Sequence, residues 1–290
     1  MACGAGRGAE RGEKNGFRVI SCRGCGTLYT ARVAGPGGAH DYDSYYGAEN
    51  LSVPDFINAR LDEIVADFAP YRRSGRLLDV GFGAGALLEA ARRAGWEAAG
   101  VEVSRTACEH VRARGFEVFC GELAAAGYPD GHFDVVTASE VLEHVTDPRA
   151  LLGDIARAVR PGGLLWMTTP HGRGVSSRAL GVSWSVVSPP EHLQLFSTRS
   201  IRSLLAEAGF RKMRVATHGV NPSELLSALR RGGKTDAEGA GRGGCQRVED
   251  SYALNEAMSR SPARRALKSA LNAALNAGRL GDSLKVWAEK

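Results

Sequence analysis

The chain has 290 residues, 43% of them hydrophobic, and a formal net charge of +5. That is enough apolar material for one large domain or two modest ones. No apolar run reaches the roughly 18 residues of a transmembrane helix, so no membrane partner is expected. The start, Met1-Ala2-Cys3-Gly4, lacks the apolar centre of a secretory signal, which leaves a cytoplasmic location as the expectation. The basic residues are scattered rather than gathered in a stripe interleaved with aromatics, so a nucleic-acid partner is not expected either.

The first segment, residues 1–34, carries Cys22-Arg23-Gly24-Cys25-Gly26, half of a zinc knuckle. Cys3-Gly4 looks like the tail of another knuckle. Cys3, Cys22 and Cys25 are therefore candidate metal ligands, with His40 as a possible substitute for the fourth. A glycine-rich tail with inert thiols is the alternative. Six cysteines in such a chain are expected to be reduced or metal-bound rather than disulfide-linked. Residues 35–70 form a cap. Gly35-Pro36-Gly37-Gly38 marks a loop. Tyr42, Tyr45 and Tyr46 either line a substrate entrance or pack the N-terminal segment. Phe56, Ile57, Leu61, Ile64, Val65 and Phe68 then fall at helical spacing over 54–69.

The core segment, residues 71–218, is organised by its first turn. Arg76-Leu77-Leu78-Asp79-Val80 is an apolar run ending in a carboxylate. Gly81, Gly83 and Gly85 follow at alternate positions, then a helical pattern through Leu87, Leu88, Ala91 and Ala94. This reads as strand, tight turn and helix, the opening of a βαβ unit. Glycine lets the backbone approach a ligand closely, and the helix aims its first amides at it. Gly81, Gly83 and Ala86 also fit the dinucleotide pattern G-x-G-x-x-G/A. Asp79 argues against that reading. A pyrophosphate over this turn would meet a carboxylate at close range, whereas an ammonium or sulfonium would be attracted. Glu102 ends a second apolar run about 20 residues on, the separation expected of an acid that holds ribose hydroxyls.

The alternation continues. Strands are predicted at 76–80, 98–103, 117–120, 134–138, 164–169 and 211–217. Helices are predicted at 84–94, at 105–114 behind a Ser104 cap, at 148–159 and at 200–208. Arg160-Pro161-Gly162-Gly163 reads as a helix stop. The pattern predicts an α/β fold with a doubly wound, mostly parallel sheet and a ligand at the carboxyl ends of its strands. Residues 219–283 interrupt it with a Gly-rich linker at 231–244 and helices at 251–258 and 262–277. Leu267, Ala270, Leu271, Ala274 and Leu275 make an apolar stripe that predicts burial, as a lid, as a homodimer surface or on the flank of the sheet. Residues 284–290 alternate as a final strand.

Four motifs stand in order: Leu78-Asp79-Val80-Gly81-Phe82-Gly83-Ala84-Gly85, Gly100-Val101-Glu102-Val103-Ser104, Phe133-Asp134-Val135-Val136-Thr137-Ala138-Ser139-Glu140-Val141-Leu142-Glu143-His144-Val145, and Arg160-Pro161-Gly162-Gly163-Leu164-Leu165. Together they resemble class I S-adenosylmethionine-dependent methyltransferases, over residues 40–218 and the last few residues. Val141-Leu142-Glu143-His144 is similar to the subgroup of ubiquinone-type O-methyltransferases and small-molecule tailoring enzymes, some of which begin with a zinc ribbon. The resemblance implies a Rossmann-like, seven-stranded sheet whose last strand is antiparallel and lies beside strand 5. It implies that Asp79 and the turn Gly81, Phe82, Gly83 and Gly85 hold the amino-acid part of S-adenosyl-L-methionine. Glu102 would take the ribose and Val103 the adenine. Glu122, in place of the commoner aspartate, and Leu123 would meet the adenine edge, with Ser139 and Glu140 beneath the methionine chain.

For a base, His144 would lie one helical turn after Glu140; packing beside the cofactor is the alternative. His192, with Glu191 in Pro189-Pro190-Glu191-His192-Leu193, would orient a hydroxyl or a metal, or belong to a structural turn. His171 and Trp184 would line the pocket. The expected activity is methylation of a small-molecule acceptor at oxygen. Methylation at carbon or nitrogen, a non-catalytic binding module and an NAD-dependent oxidoreductase are the rivals.

Overall fold

The computed structural model describes residues 7–31, 43, 51, 53–230 and 261–290. Cys3, His40, Tyr42, Tyr45, Tyr46, the linker at 231–244 and the helix expected at 251–258 lie outside them. In chain order the elements begin with strands β1 (Gly8–Lys14), β2 (Phe17–Cys22) and β3 (Leu28–Ala31) and helix α1 (Asp55–Ala66). Then come β4 (Arg76–Val80), α2 (Ala86–Arg93), β5 (Glu97–Glu102), α3 (Arg105–Arg112), β6 (Glu117–Cys120), β7 (Phe133–Ser139), α4 (Pro148–Ala158) and β8 (Val159–Pro170). The rest are α5 (Val175–Leu180), β9 (Gln194–Leu195), α6 (Thr198–Glu207), β10 (Met213–His218), α7 (Pro222–Arg230), α8 (Pro262–Ala277) and β11 (Ser283–Glu289). The chain divides into two compact units, one of residues 1–35, 170–201 and 216–285, the other of the remainder.

The second unit is built on a seven-stranded sheet of order β10-β11-β8-β7-β4-β5-β6. The pairings β4–β5, β4–β7, β5–β6 and β7–β8 are parallel, and β11 is the antiparallel strand of the resembled fold. β7, Phe-Asp-Val-Val-Thr-Ala-Ser, is buried at every position but its last, as a central parallel strand covered on both faces must be. One apolar cluster joins Val65 and Phe68 to Leu77, Ala91, Trp96 and Trp166. Another joins Phe82 and Leu88 to Ala107, Val111, Phe116 and Val118. Ser104 caps α3 as expected, its Oγ accepting from Ala107 N at 3.2 Å.

The helix stops ahead of Arg160-Pro161-Gly162-Gly163 as expected, but these residues already belong to the next strand, which was expected only from 164. α4 ends at Ala158 and β8 begins at once with Val159. A buried ion pair holds this segment. Arg160 Nε donates to Asp134 Oδ1 at 2.6 Å, and Asp134 Oδ2 also accepts from Arg73 N and Gly75 N at 2.8 and 2.7 Å. Burial alone would raise this carboxyl, but these donors outweigh it and hold it below its ordinary value. Gly163 allows the close approach, since a Cβ there would lie 2.8 Å from the Asp134 carbonyl oxygen. Asp134→Ala would leave a largely buried guanidinium and two amides without their acceptor. We expect a loss of about 3–5 kcal/mol, read as a lowered denaturation midpoint, with Asp134→Asn losing less.

The first unit contains a four-stranded sheet of order β1-β2-β3-β9. The β1–β2 hairpin turns on Asn15 (φ 53°) and Gly16 (φ 77°), the two positive-φ residues of a type I′ turn. Trp184, expected in a pocket, is buried with Val19, Leu28, Val187 and Leu195. His171, expected there too, is also buried. Its Nδ1 lies 2.8 Å from the Gly281 carbonyl oxygen, and burial pushes its pKa down to about 4. α8 has its expected bounds, and the chain itself covers little of its stripe. Leu267 and Leu271 are 64% and 50% exposed and only Leu275 is buried. The helix docks instead through asparagines, Asn276 Oδ1 accepting from Thr217 N at 2.9 Å and Asn272 Oδ1 from Gly219 N at 3.0 Å. No helix among the described residues is long and apolar enough to cross a membrane.

Candidate active site

The site lies in the second unit, where the carboxyl ends of β4, β5 and β7 meet. β4 ends at Val80, and the chain turns over Gly81 (φ 71°), Gly83 (φ 52°) and Gly85 (φ 76°), a conformation that costs glycine least. A Cβ on Gly81 would lie 2.5 Å from Val141, so the turn presses against the segment that leaves β7. The Phe82 side chain packs into the apolar cluster under the turn, leaving its backbone for a ligand.

Asp79 is 4% exposed and accepts a 2.7 Å hydrogen bond from Thr137 Oγ1. Thr137 is its register partner on β7. Among the described residues Asp79 forms no ion pair. Burial pushes its carboxyl up to about 7; the Thr137 hydrogen bond opposes the rise and the charge of Glu102 adds to it. The carboxylate is therefore placed where its charge is costly unless a cation joins it.

Glu102, also buried, ties strand tip to turn. Its Oε2 accepts from Gly83 N at 3.0 Å, and its Oε1 accepts from Val103 N at 2.8 Å and Ser104 N at 3.1 Å. A carboxylate offers about four lone-pair sites, so about one remains, on Oε2, for a ligand hydroxyl. Val103 beside it is 46% exposed, an apolar surface open to a flat ring. Glu122 is exposed and Leu123 buried. Ser139 Oγ pairs with Thr168 Oγ1 at 2.8 Å.

Glu140 takes a positive φ of 54°, uncommon for a residue with a side chain. It ends β7 in a turn, and the residues that follow are turn rather than helix. His144 is thus not a helical turn beyond Glu140, as the sequence suggested. It is placed instead by its neighbour. Glu143 is fully buried, its Oε2 accepting from Thr169 Oγ1 at 2.9 Å, and His144 Nε2 lies 4.0 Å from its Oε1. Burial, then the charge of Glu140, push the Glu143 carboxyl well up, and burial raises Glu140 as well. Glu143 therefore keeps its proton far above the usual carboxylate range, beside a histidine that is 24% exposed.

His192 belongs to the first unit, where its Nδ1 lies 2.6 Å from the Val186 carbonyl oxygen. Glu191 accepts from Ser188 Oγ at 3.4 Å. Cys22 and Cys25 are buried in that unit, at the corner between β2 and β3. Two residues escaped the sequence reading of the site. Thr137 is the one polar residue within Val135–Ala138, all buried, and that was its signal. Glu143 was visible in its motif, but nothing in the sequence reported its burial against Glu140.

A family profile described as a methyltransferase domain matches residues 55–215. The chain belongs to this family. The methyltransferase domain so defined begins with α1 and ends within β10. Over 101 residues it is 40% identical to the ubiquinone biosynthesis O-methyltransferase of Methylococcus capsulatus, covering 32% of this chain and 43% of that protein. Over 103 residues it is 41% identical to the enzyme of the same name from Ralstonia nicotianae, covering 33% and 43%. The match thus spans less than half the length of these relatives. Among solved structures, a SAM dependent methyltransferase from Archaeoglobus fulgidus superposes with a TM-score of 0.56 at 18% identity, covering 86% of this chain and all of that one. Phosphoethanolamine N-methyltransferase 2 of Haemonchus contortus, in complex with S-adenosyl-L-methionine, gives 0.53 at 21% identity, covering 80% and 52%. At these identities the likeness is one of fold.

Proposed function

We propose that the chain transfers a methyl group from S-adenosyl-L-methionine to a hydroxyl of a small molecule. The observation that carries this is Asp79, a buried carboxylate with no cationic partner among the described residues, at the tip of the first strand of a methyltransferase fold. Its neighbours fit the same guest. Gly81 and Gly83 would hold the amino-acid end by backbone, Glu102 Oε2 one ribose hydroxyl, and Val103 the adenine face. Glu122 and Leu123 would border the adenine edge, with Ser139 and Glu140 below the methionine chain. The bound cofactor would supply an activated methyl on a positively charged sulfur. The protein's part is then to align the acceptor and to take its proton, effects worth roughly 7–11 kcal/mol and 10²–10⁴-fold. His144 is the proposed base, held beside the protonated Glu143. Acceptance at oxygen rests on the two ubiquinone biosynthesis O-methyltransferases named above.

The test is transfer of a labelled methyl from the cofactor to a panel of phenols and catechols, beside cofactor binding by calorimetry. His144→Gln should lower turnover about 10²–10⁴-fold with cofactor affinity unchanged. Binding without turnover on any acceptor would favour a sensor or scaffold, and no binding would overturn the reading.

A structural zinc is the companion proposal. Cys22 N donates to Thr27 O and Gly26 N to Cys22 O, each at 2.9 Å, which folds both buried thiols into one tight corner. The described residues supply two of the four ligands such a site needs; Cys3 is the proposed third. We expect one zinc per chain by elemental analysis, lost in Cys22→Ser. A metal-free sample that stays folded would refute it.

A further inference from the structure

The first unit carries an open pocket of about 270 Å³ whose lining combines apolar Val19, Leu28 and Val187 with three exposed arginines, Arg11, Arg173 and Arg178. No carboxylate is among its lining residues, and among the described residues none of the three arginines pairs with an acid. Each is brought there by a local device. The pairing of β1 with β2 slips between Glu10 and Gly12, so Arg11 is the extra residue of a β-bulge. Gly12 takes a φ of 137° beside it, and Glu10 and Arg11 are both exposed where the strand would otherwise alternate. Bulges of this kind re-aim a side chain. Arg173 lies across Gly26, where a Cβ would stand 2.7 Å from its Cδ and 2.8 Å from its Nη1. Arg178 is oriented by its Nε, which donates to the Arg173 carbonyl at 2.8 Å.

Three exposed guanidiniums around one small open pocket give it a positive rim with no carboxylate to match, a setting that favours an anion. A single carboxylate would leave most of that charge unmatched. A phosphoryl group brings close to two negative charges and three acceptor oxygens, suited to the planar fork of arginine. The apolar part of the lining calls for an organic body attached to it. We propose that this pocket binds a small organic phosphate, its phosphoryl group held by Arg11, Arg173 and Arg178 and its carbon skeleton against Val19, Leu28 and Val187. The proposal goes beyond methyl transfer and does not depend on it.

The test is calorimetric titration of the full chain with phenyl phosphate. Saturable binding is expected, weakened roughly tenfold or more by Arg11→Gln and by Arg173→Gln and reduced by added salt. Inorganic phosphate and benzoate should each bind at least tenfold more weakly than phenyl phosphate, which separates the phosphate ester from a free anion and from a carboxylate. Unchanged thermal midpoints in both variants would exclude unfolding as the cause. Absence of saturable heat with the unaltered chain, equal affinity in chain and variants, or inorganic phosphate binding as tightly as the ester would overturn the proposal. The readout involves no S-adenosyl-L-methionine, so its failure and the failure of the methyl-transfer proposal are separate results.

Discussion

Asp79→Asn is expected to weaken S-adenosyl-L-methionine about 10²–10³-fold and, at the same time, to make the ligand-free protein more stable. Both effects follow from one carboxylate. The amide keeps an acceptor for Thr137 but cannot offer charge to a cation, and deleting one side of a buried charge pair costs several kcal/mol of affinity. In the ligand-free chain the same charge is a burden. Its folded-state value, raised to about 7 from 3.8, lies above the unfolded one. Between about pH 4 and 7 the folded chain holds a proton that the unfolded chain has lost. Stability therefore falls as pH rises through that window, by up to about 4 kcal/mol, and stays lower above it. The Asn variant should be the more stable protein at pH 8 and gain nothing at pH 3. Cofactor affinity should move the other way, weakening up to tenfold per unit below pH 7 because binding needs the ionised carboxyl. Any slope left in the Asn variant would report Glu140 and Glu143. Calorimetry and thermal melts across pH check this, and an Asn variant that binds as tightly as the parent would remove the basis of the functional proposal.

Much of this site could be read in the sequence because its parts are local. The turn Gly81-Phe82-Gly83-Ala84-Gly85, the carboxylate two residues before it and the acid ending the next strand lie in a short stretch whose hydrophobic period marks strand, turn and helix. The structure places the first strand and the strand at 117–120 at their expected bounds. What was not legible depends on contacts far apart in the chain. β1 reads Gly-Ala-Glu-Arg-Gly-Glu-Lys, with no apolar alternation to announce a strand, and its bulge hides the register. The Asn15-Gly16 pair was the available hairpin signal. β9 is two residues long and exists through its pairing with β3, so no local pattern could predict it. Trp184 and His171 looked like pocket residues because they sit in a loop of unknown course; burial is a property of what that loop packs against. The stripe on α8 says that something covers it, not what. Its period is helical, but Asn272 and Asn276 on the same helix carry the docking, and an apolar stripe does not say how much of itself is covered.

Deleting Ser283–Glu289 should abolish folding altogether. The resemblance places this strand last in the chain and beside strand 5. The order β10-β11-β8 makes it interior, so its removal leaves β10 without a partner and exposes a whole flank of β8. Leu284, Val286 and Ala288 are each 0% exposed. Losing the two larger side chains alone costs about 1.5–3 kcal/mol apiece. The ladder goes as well. Lys290 N donates to Gly163 O at 3.1 Å and Gly162 N to Lys290 O at 2.9 Å, and Arg211 N donates to Glu289 O at 2.8 Å. Lys212 Nζ and Tyr71 Oη also meet the Glu289 carboxyl, at 2.8 and 3.3 Å. A folded domain holds only about 5–15 kcal/mol in reserve, and an uncovered parallel edge invites pairing with other chains. The truncated chain should be found in the insoluble fraction, while Lys290→Ala, which keeps the strand, should stay soluble. A soluble truncation with a cooperative melt would mean that β11 is not part of the sheet's core.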